Sequence, residues 1–477
     1  MTPFQLPLKG ERFERMKKLF NFSQSLKSPS PTGRAGEGVE GLHSEILRIA
    51  IPSIVTNITV PLLGMFDLAI AGHIGSASVI GAISVGGLIF NMVYWLFNFL
   101  RMGSSGLTAQ AFGRGDVCSQ RGVLRLALTI SIIFGLLIFA LQRPIEWFAH
   151  IVIQPTDEVW QLAVAYYRIR IWAAPAVLAL FALNGWFIGM QNSRYPMFIA
   201  IGQNLLNIAA SAALVFWGHM GIEGVALGTV ISQYAGLIAA LCLTQVLLPK
   251  SLTSLQGDRL WSFKGLDTGS FFRVNRDIFF RMICLIAVTT AFTSFGARQG
   301  DLLLAVNTLL IQLFILFSYF CDGFALAGEA LVGRYTGAQQ QSNKLACVCR
   351  LFVWAGGVTS LFTLIYWIGG DQILRLFTDD AEVLVAAQPY LPWLLLIPVT
   401  GFAAFMWDGI YIGATATRQM LYSLAFGAAV FFGIWMLPLP VSANHHLWLS
   451  FILYLSGRSL WQTVMARRVL TPPDHPL

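Results

Sequence analysis

The stretch IAIPSIVTNITVPLLGMFDLAIAG, residues 49–72, holds one charged side chain, Asp67. As a helix rising about 1.5 Å per residue it is long enough to cross the roughly 30 Å hydrocarbon core of a bilayer. Working outward from it, comparable apolar runs recur through all 477 residues, of which 56% are hydrophobic and only 11% charged. That balance lies far from a soluble domain and reads as a membrane protein. The runs are unbroken rather than alternating in polarity, so helices are expected and a β-barrel is not. Twelve spans are predicted, at 46–72, 81–112, 122–142, 159–190, 196–217, 223–248, 272–297, 303–334, 345–369, 384–413, 419–438 and 446–466. The fold class is therefore an all-α integral membrane protein.

Lys and Arg set the orientation, because short cytoplasmic loops carry the excess of both. With the N-terminus inside, Arg114, Arg121, Arg194, Lys250, Lys264, Arg273, Arg334, Lys344, Arg418 and Arg467 fall in the cytoplasm. The outer loops keep chiefly Arg143, Arg298 and Arg375. The bias alternates loop by loop, which places both termini in the cytoplasm and explains the net charge of +8 as topology, with no nucleic-acid partner. The six cysteines have no metal-like spacing and read as packing residues, with no metal site.

Residues 1–44 differ: KGERFERMKK is followed by a Ser/Pro/Gly-rich stretch without an apolar face, read as a disordered basic tail. Sliding the chain against itself then reveals a repeat. At a shift of 224 residues LNGWFIGMQNSR (183–194) meets WDGIYIGATATR (407–418), aligning Asn184 with Asp408, Gly185 with Gly409 and Gly189 with Gly413. The same shift brings Gly113 onto Gly337. Twelve helices thus divide into two six-helix lobes, 45–248 and 272–467, of like orientation and related by a pseudo-two-fold along the membrane normal, as in several transporter folds. The connection 249–271 joins them in the cytoplasm, and 468–477 is a short tail.

Charged groups inside spans are costly, about 2.5–3.5 kcal/mol on insertion scales, and mark function. Asp67 lies six residues after Pro61, whose missing N–H frees the carbonyl of Asn57. An exchangeable charge above a weakened helix suits proton coupling; a structural carboxylate bonded to a neighbouring helix is the alternative. Asn184, Gln203, Asn204 and Asn207 add amides in the fourth and fifth spans, able to serve an ion or simply to bond between helices. In the second lobe Asp322 and Glu329 lie in the eighth span and Asp408 in the tenth. Arg101 in the second span is a candidate inter-lobe partner of Asp322. Arg281 and Asp277 read as an ion pair one turn apart on a helix surface, and Arg458 as the partner of an unnamed carboxylate.

Several segments together resemble one family. NITVPLLGMFDLAIAGHIG (57–75), FLRMGSSGLTAQAFG (99–113), GQNLLNI (202–208), NRDIFFR (275–281), CDGFALAGEA (321–330) and DGIYIGAT (408–415) are similar to the multidrug and toxic compound extrusion (MATE) transporters, in particular their DNA-damage-inducible branch. The resemblance implies two six-helix lobes around a central cavity and export of organic, often cationic, compounds against inward H⁺ or Na⁺. It marks Asp67 as the first-span coupling carboxylate beside the bending Pro61, with Asn207 and Thr229 completing a polar network and Asn184 nearby. One departure matters: many relatives carry NxxxD in the fifth span, whereas this chain reads NIAAS, with Ser211 at the acid's position. One carboxylate fewer favours H⁺ over Na⁺, which prefers several oxygens. Asp408 resembles the tenth-span acid of the sodium-using branches.

The expected function is thus proton-coupled secondary antiport of toxic organic compounds by alternating access, in a bacterial inner membrane, by a monomer needing no cofactor beyond the ion gradient. Na⁺-coupled antiport and a lipid-linked saccharide flippase of the same architecture are the alternatives; the flippase should have a strongly cationic cavity. An enzyme is not expected, since no HExxH, paired Cys, nucleophile elbow or phosphate-binding glycine loop falls in the spans.

Overall fold

The computed structural model of the protein describes residues 37–74, 77–247 and 267–471. The tail predicted for 1–44 and the connection predicted for 249–271 lie mostly outside these residues. Where they overlap, the structure extends the helices: the first begins at Glu37 and the seventh at Thr268. Both begin before the predicted apolar run.

In order the spans are Glu37–Ile74; Ala77–Leu96 with Phe99–Gly113; Val117–Ala140; Asp157–Arg170 with Ala174–Gly189; Arg194–Ala212; Gly221–Leu247; Thr268–Ala297; Asp301–Gly337; Gln341–Phe377; Ala381–Ala387 with Leu391–Gly413; Thr417–Met436; and Ala443–Leu470. Eleven are long and apolar enough to cross a membrane. The twelfth has the length but not the apolarity, because it carries Asn444, His446, Arg458 and Gln462. All four are buried, so that polarity faces protein rather than lipid.

Local sequence explains the breaks. The second span turns at Phe97–Asn98, and Arg101 Nε donates to Asn98 Oδ1 at 3.1 Å just inside the new helix. The fourth tightens to a 3₁₀ turn at Ile171–Ala173 before Pro175, which lacks the N–H for a continuous ladder. The third and seventh start at aspartate caps: Asp116 accepts the backbone N–H of Ser119 at 3.0 Å, and Asp267 that of Ser270 at 3.1 Å. Between the third and fourth spans the short helix Gln142–Ile153 buries Ala149 and exposes Trp147, Phe148, Ile151 and Val152, the pattern of a helix lying in the membrane interface.

The repeat is present in the backbone. Helices end at Gly113 and Gly337 and at Gly189 and Gly413, and restart at Val117 and Gln341 and at Asp157 and Ala381, each pair 224 residues apart. Left-handed backbone recurs with them: φ is 69° at Gly115 and 56° at Gln339, 62° at Gln191 and 54° at Thr415. Packing repeats as well. A Cβ on Gly185 would lie 2.1 Å from the Arg101 carbonyl oxygen, and one on Gly409 lies 2.1 Å from that of Ala325, the equivalent residue. The protein therefore has two six-helix lobes related by a pseudo-two-fold.

That relation also builds the seam between the lobes. A Cβ on Gly113 would meet the Arg334 carbonyl oxygen at 2.0 Å, and one on Gly337 would meet that of Gln110 at 2.0 Å. Residues 110 and 334 are themselves equivalent, so the contact is reciprocal. Around it Gln110 Nε2 donates to the Gly413 carbonyl at 2.9 Å, Gln191 Nε2 to that of Ala330 at 2.8 Å, and Arg334 pairs with Glu45 at 2.5 Å. These ties gather at one end of the spans, the end with Gly113 and Gly337.

Candidate functional site

In the first lobe Asp67 is 4% exposed, and among the described residues its Oδ1 has no hydrogen-bond partner. The opposite charge acting on it is Arg170 of the fourth span, which does not close an ion pair. Arg170 is held elsewhere: Nη1 donates to the Tyr166 hydroxyl at 2.6 Å, and the guanidinium stands 4.9 Å from the centre of the Phe90 ring and 5.4 Å from that of Tyr166. Such ring faces attract a cation. Tyr94, whose buried hydroxyl has no hydrogen-bond partner among the described residues, also acts on Arg170. Sequence reasoning missed Arg170, although the signal that singled out Asp67, a charge within a predicted span, applies to it equally.

Among the described residues, none of the predicted amides hydrogen-bonds Asp67. Asn204 Nδ2 donates to the Thr59 carbonyl at 2.8 Å and so holds the fifth span to the first two residues before Pro61. Asn207 Nδ2 donates to Thr229 Oγ1 at 3.0 Å, joining fifth and sixth spans. The Oδ1 atoms of Asn207 and Asn184 are buried without partners among the described residues. Ser211 is fully buried, its hydroxyl 3.5 Å from the Val225 carbonyl. Among the described residues the first lobe thus offers one buried carboxylate, Asp67, and amide ties at Asn204 and Asn207.

Four acids of the second lobe stand in different states. Asp408 is clamped: Oδ2 receives Arg281 and Arg458, and Oδ1 receives Gln462 Nε2 at 2.7 Å. This supplies the partner of Arg458 and corrects the reading of Arg281. Asp277 pairs instead with its exposed neighbour Arg276 at 3.0 Å and accepts from Thr417 at 3.3 Å, because Arg281 points into the lobe. Glu329, 2% exposed, faces Arg101 across the seam at 3.6 Å. The inter-lobe pair of Arg101 is therefore made with Glu329 and not with Asp322. Two helical turns separate these acids on one stripe of the eighth span, and Arg101, tied to Asn98, reaches the one nearer the closed end. Asp322 itself is partly exposed and makes no hydrogen bond or ion pair among the described residues.

Comparison with known proteins agrees with this architecture. The MatE family model matches residues 52–213 and again 278–435, one block in each lobe. DNA damage-inducible protein F of Escherichia coli (strain K12) is 36% identical over 426 residues, covering 88% of this chain and 91% of that protein. A probable multidrug resistance protein NorM of Thermotoga maritima is 23% identical, covering 85% and 86%. Among solved structures the Vibrio cholerae MATE transporter VcmN in its bent form superposes with a TM-score of 0.79 at 14% identity, covering 91% of this chain and 98% of that one. An outward-facing MATE transporter of the MOP superfamily superposes at 0.78 and 16% identity, covering 92% and 99%. With the family model matched in both lobes and a relative this similar over nearly its whole length, the chain belongs to the MatE family of membrane transporters.

Proposed function

We propose that this protein is a secondary antiporter that exports toxic organic, often cationic, compounds in exchange for protons by alternating access. The observation that carries the choice of ion is the contrast between Asp67 and Asp408. Asp67 is buried with an oxygen unbonded among the described residues, and Ser211 stands where a second acid would be needed beside the amides. Asp408, the acid that resembles a sodium ligand, is already held by two guanidinium groups and an amide. A proton needs one exchangeable carboxylate, whereas a hard cation favours several free oxygens.

The mechanism follows from where the weak points lie. The first span runs through Pro61, and Asn204 grips it at Thr59. A proton that neutralises Asp67 removes its interaction with Arg170, which changes the balance of forces along the part of the span beyond the proline. On the positive-inside orientation the closed seam at Gly113 and Gly337 is cytoplasmic, so the lobes are held together on the inner side, as in the arm of alternating access that takes up protons and releases cargo. Relatives named multidrug resistance proteins support the cargo class. A flippase for anionic lipid-linked saccharides is less well supported, since Arg101, Arg281 and Arg458 each face an acid.

The test is ethidium efflux from liposomes under an imposed pH gradient without Na⁺. Efflux driven by the proton gradient alone is expected. A strict need for Na⁺ would move the coupling site to the second lobe and overturn the choice of ion.

A further inference from the structure

We infer that Tyr319 and Asp322 of the eighth span form a binding site for the positive charge of an aromatic or quaternary organic cation. This rests on the antiport reading and assigns its cargo contact to a residue pair separate from Asp67.

The first argument is charge matching. Around the Asp408 clamp, the charges that act on one another are three acids, Asp322, Glu329 and Asp408, and three arginines, Arg101, Arg281 and Arg458; the pairs Asp277–Arg276 and Glu45–Arg334 stand outside this set. Asp408 takes two guanidinium groups and Glu329 takes one. Asp322 takes none, although Arg101, Asp408, Arg281 and Glu329 all act on it through space. The extra positive charge therefore sits at the Asp408 clamp, and the matching negative charge at Asp322 is left without a contact. A mobile cation can take that contact. The clamp behind it keeps the hold weak enough for release, as a transport site requires.

The second argument is the ring. Tyr319 lies one turn before Asp322, at the (i, i+3) spacing that puts two side chains on one face. Asp322 acts electrostatically on its phenol. Other aromatic residues of this stretch are used in packing: Phe317 and Phe320 meet Phe362 edge to face, and Phe324 stacks on Trp354. Tyr319 has no ring partner and no side-chain hydrogen bond among the described residues, and it stays partly exposed while Phe317 is fully buried. A free ring beside a free carboxylate is the chemistry that recognises delocalised or quaternary cations.

The third argument is place. The Tyr319 carbonyl accepts from Asn57 Nδ2 at 3.2 Å, and a Cβ on Gly323 would lie 2.2 Å from Ile54. The turn that carries the pair is thus docked on the first span, the one that also bears Asp67 and Pro61. A cation held there lies against the element whose protonation is to expel it.

Fluorescence polarisation of ethidium on the purified full-length protein tests this. Asp322→Asn is expected to weaken binding about tenfold or more, and Asp322→Glu far less. Tyr319→Leu should weaken it severalfold while Tyr319→Phe keeps it, which serves as the test if Asp322→Asn does not fold. Wild-type affinity in both Asp322→Asn and Tyr319→Leu would overturn the site. So would equal losses in the Asn and Glu variants with loss of thermal stability, which would mark Asp322 as structural. Proton-driven transport with unchanged affinity in Asp322→Asn would sink the site and leave the antiport reading. Asp322-dependent binding in a protein without proton-driven transport would do the reverse.

Discussion

A carboxylate fixed by two guanidinium groups and one left with an unbonded oxygen respond differently to substitution. Asp408→Asn leaves Arg281 and Arg458 facing each other without their counter-ion, and removal of one member of a buried ionic set typically costs about 3–5 kcal/mol. A large fall in the melting temperature in detergent is expected. Arg276→Ala removes the pair with Asp277 on the exposed side and should cost under about 1 kcal/mol, because Arg276 is 63% exposed. Asp67→Asn should leave stability nearly unchanged, since no hydrogen bond to its Oδ1 is lost among the described residues. At this scale the sequence was legible as a roster of charges but not as a wiring. Asp67, Glu329 and Asp408 announced themselves as acids in apolar runs. That Arg281 turns inward to Asp408, and that Arg101 meets Glu329, depends on the rotation and approach of helices far apart in the chain.

Elements were read more readily, because a membrane span must be a long, nearly uncharged helix and its sequence says so. Even the polar twelfth was visible, since Arg458 and Gln462 lie within an otherwise apolar run. The reciprocal close approach at Gly113 and Gly337 was not: a glycine at a helix end reads as a stop signal, and only packing shows it as a contact. Gly337→Ala would drive a Cβ into the Gln110 carbonyl and should cost about 1–3 kcal/mol while opening that end of the seam. In a background without the six native cysteines, a thiol at the fully buried Ser105 should then label faster than in the parent. The Asp116 cap gives a pH-dependent prediction. Hydrogen bonds from the Ser119 hydroxyl and backbone N–H hold its carboxyl below the usual range, so its stabilisation is present above that range and fades as pH falls through the lowered value. Asp116→Ala should cost about 0.5–2 kcal/mol at pH 7 and progressively less in acid, measurable by thermal unfolding across pH.

Across the whole molecule, the pseudo-two-fold does two tasks. It supplies equivalent packing within each lobe, as at Gly185 and Gly409, and the same equivalence presses the lobes together at one end. The functional groups break the symmetry: Asn184 stands where the second lobe has Asp408, and Arg101 where it has Ala325. Among the described residues the first lobe is left with one buried acid, Asp67, and the second with acids and arginines clustered around Asp408, the asymmetry on which the proposed split between coupling and cargo rests. The account stands or falls on whether cargo and protons move together through Asp67. The direct measurement is proton flux on addition of ethidium to Na⁺-free proteoliposomes with a pH-sensitive dye inside, for the native chain and Asp67→Asn. Cargo-dependent proton movement in the native protein that vanishes in Asp67→Asn, with ethidium binding retained, is the predicted result; proton movement that persists in the variant would contradict it.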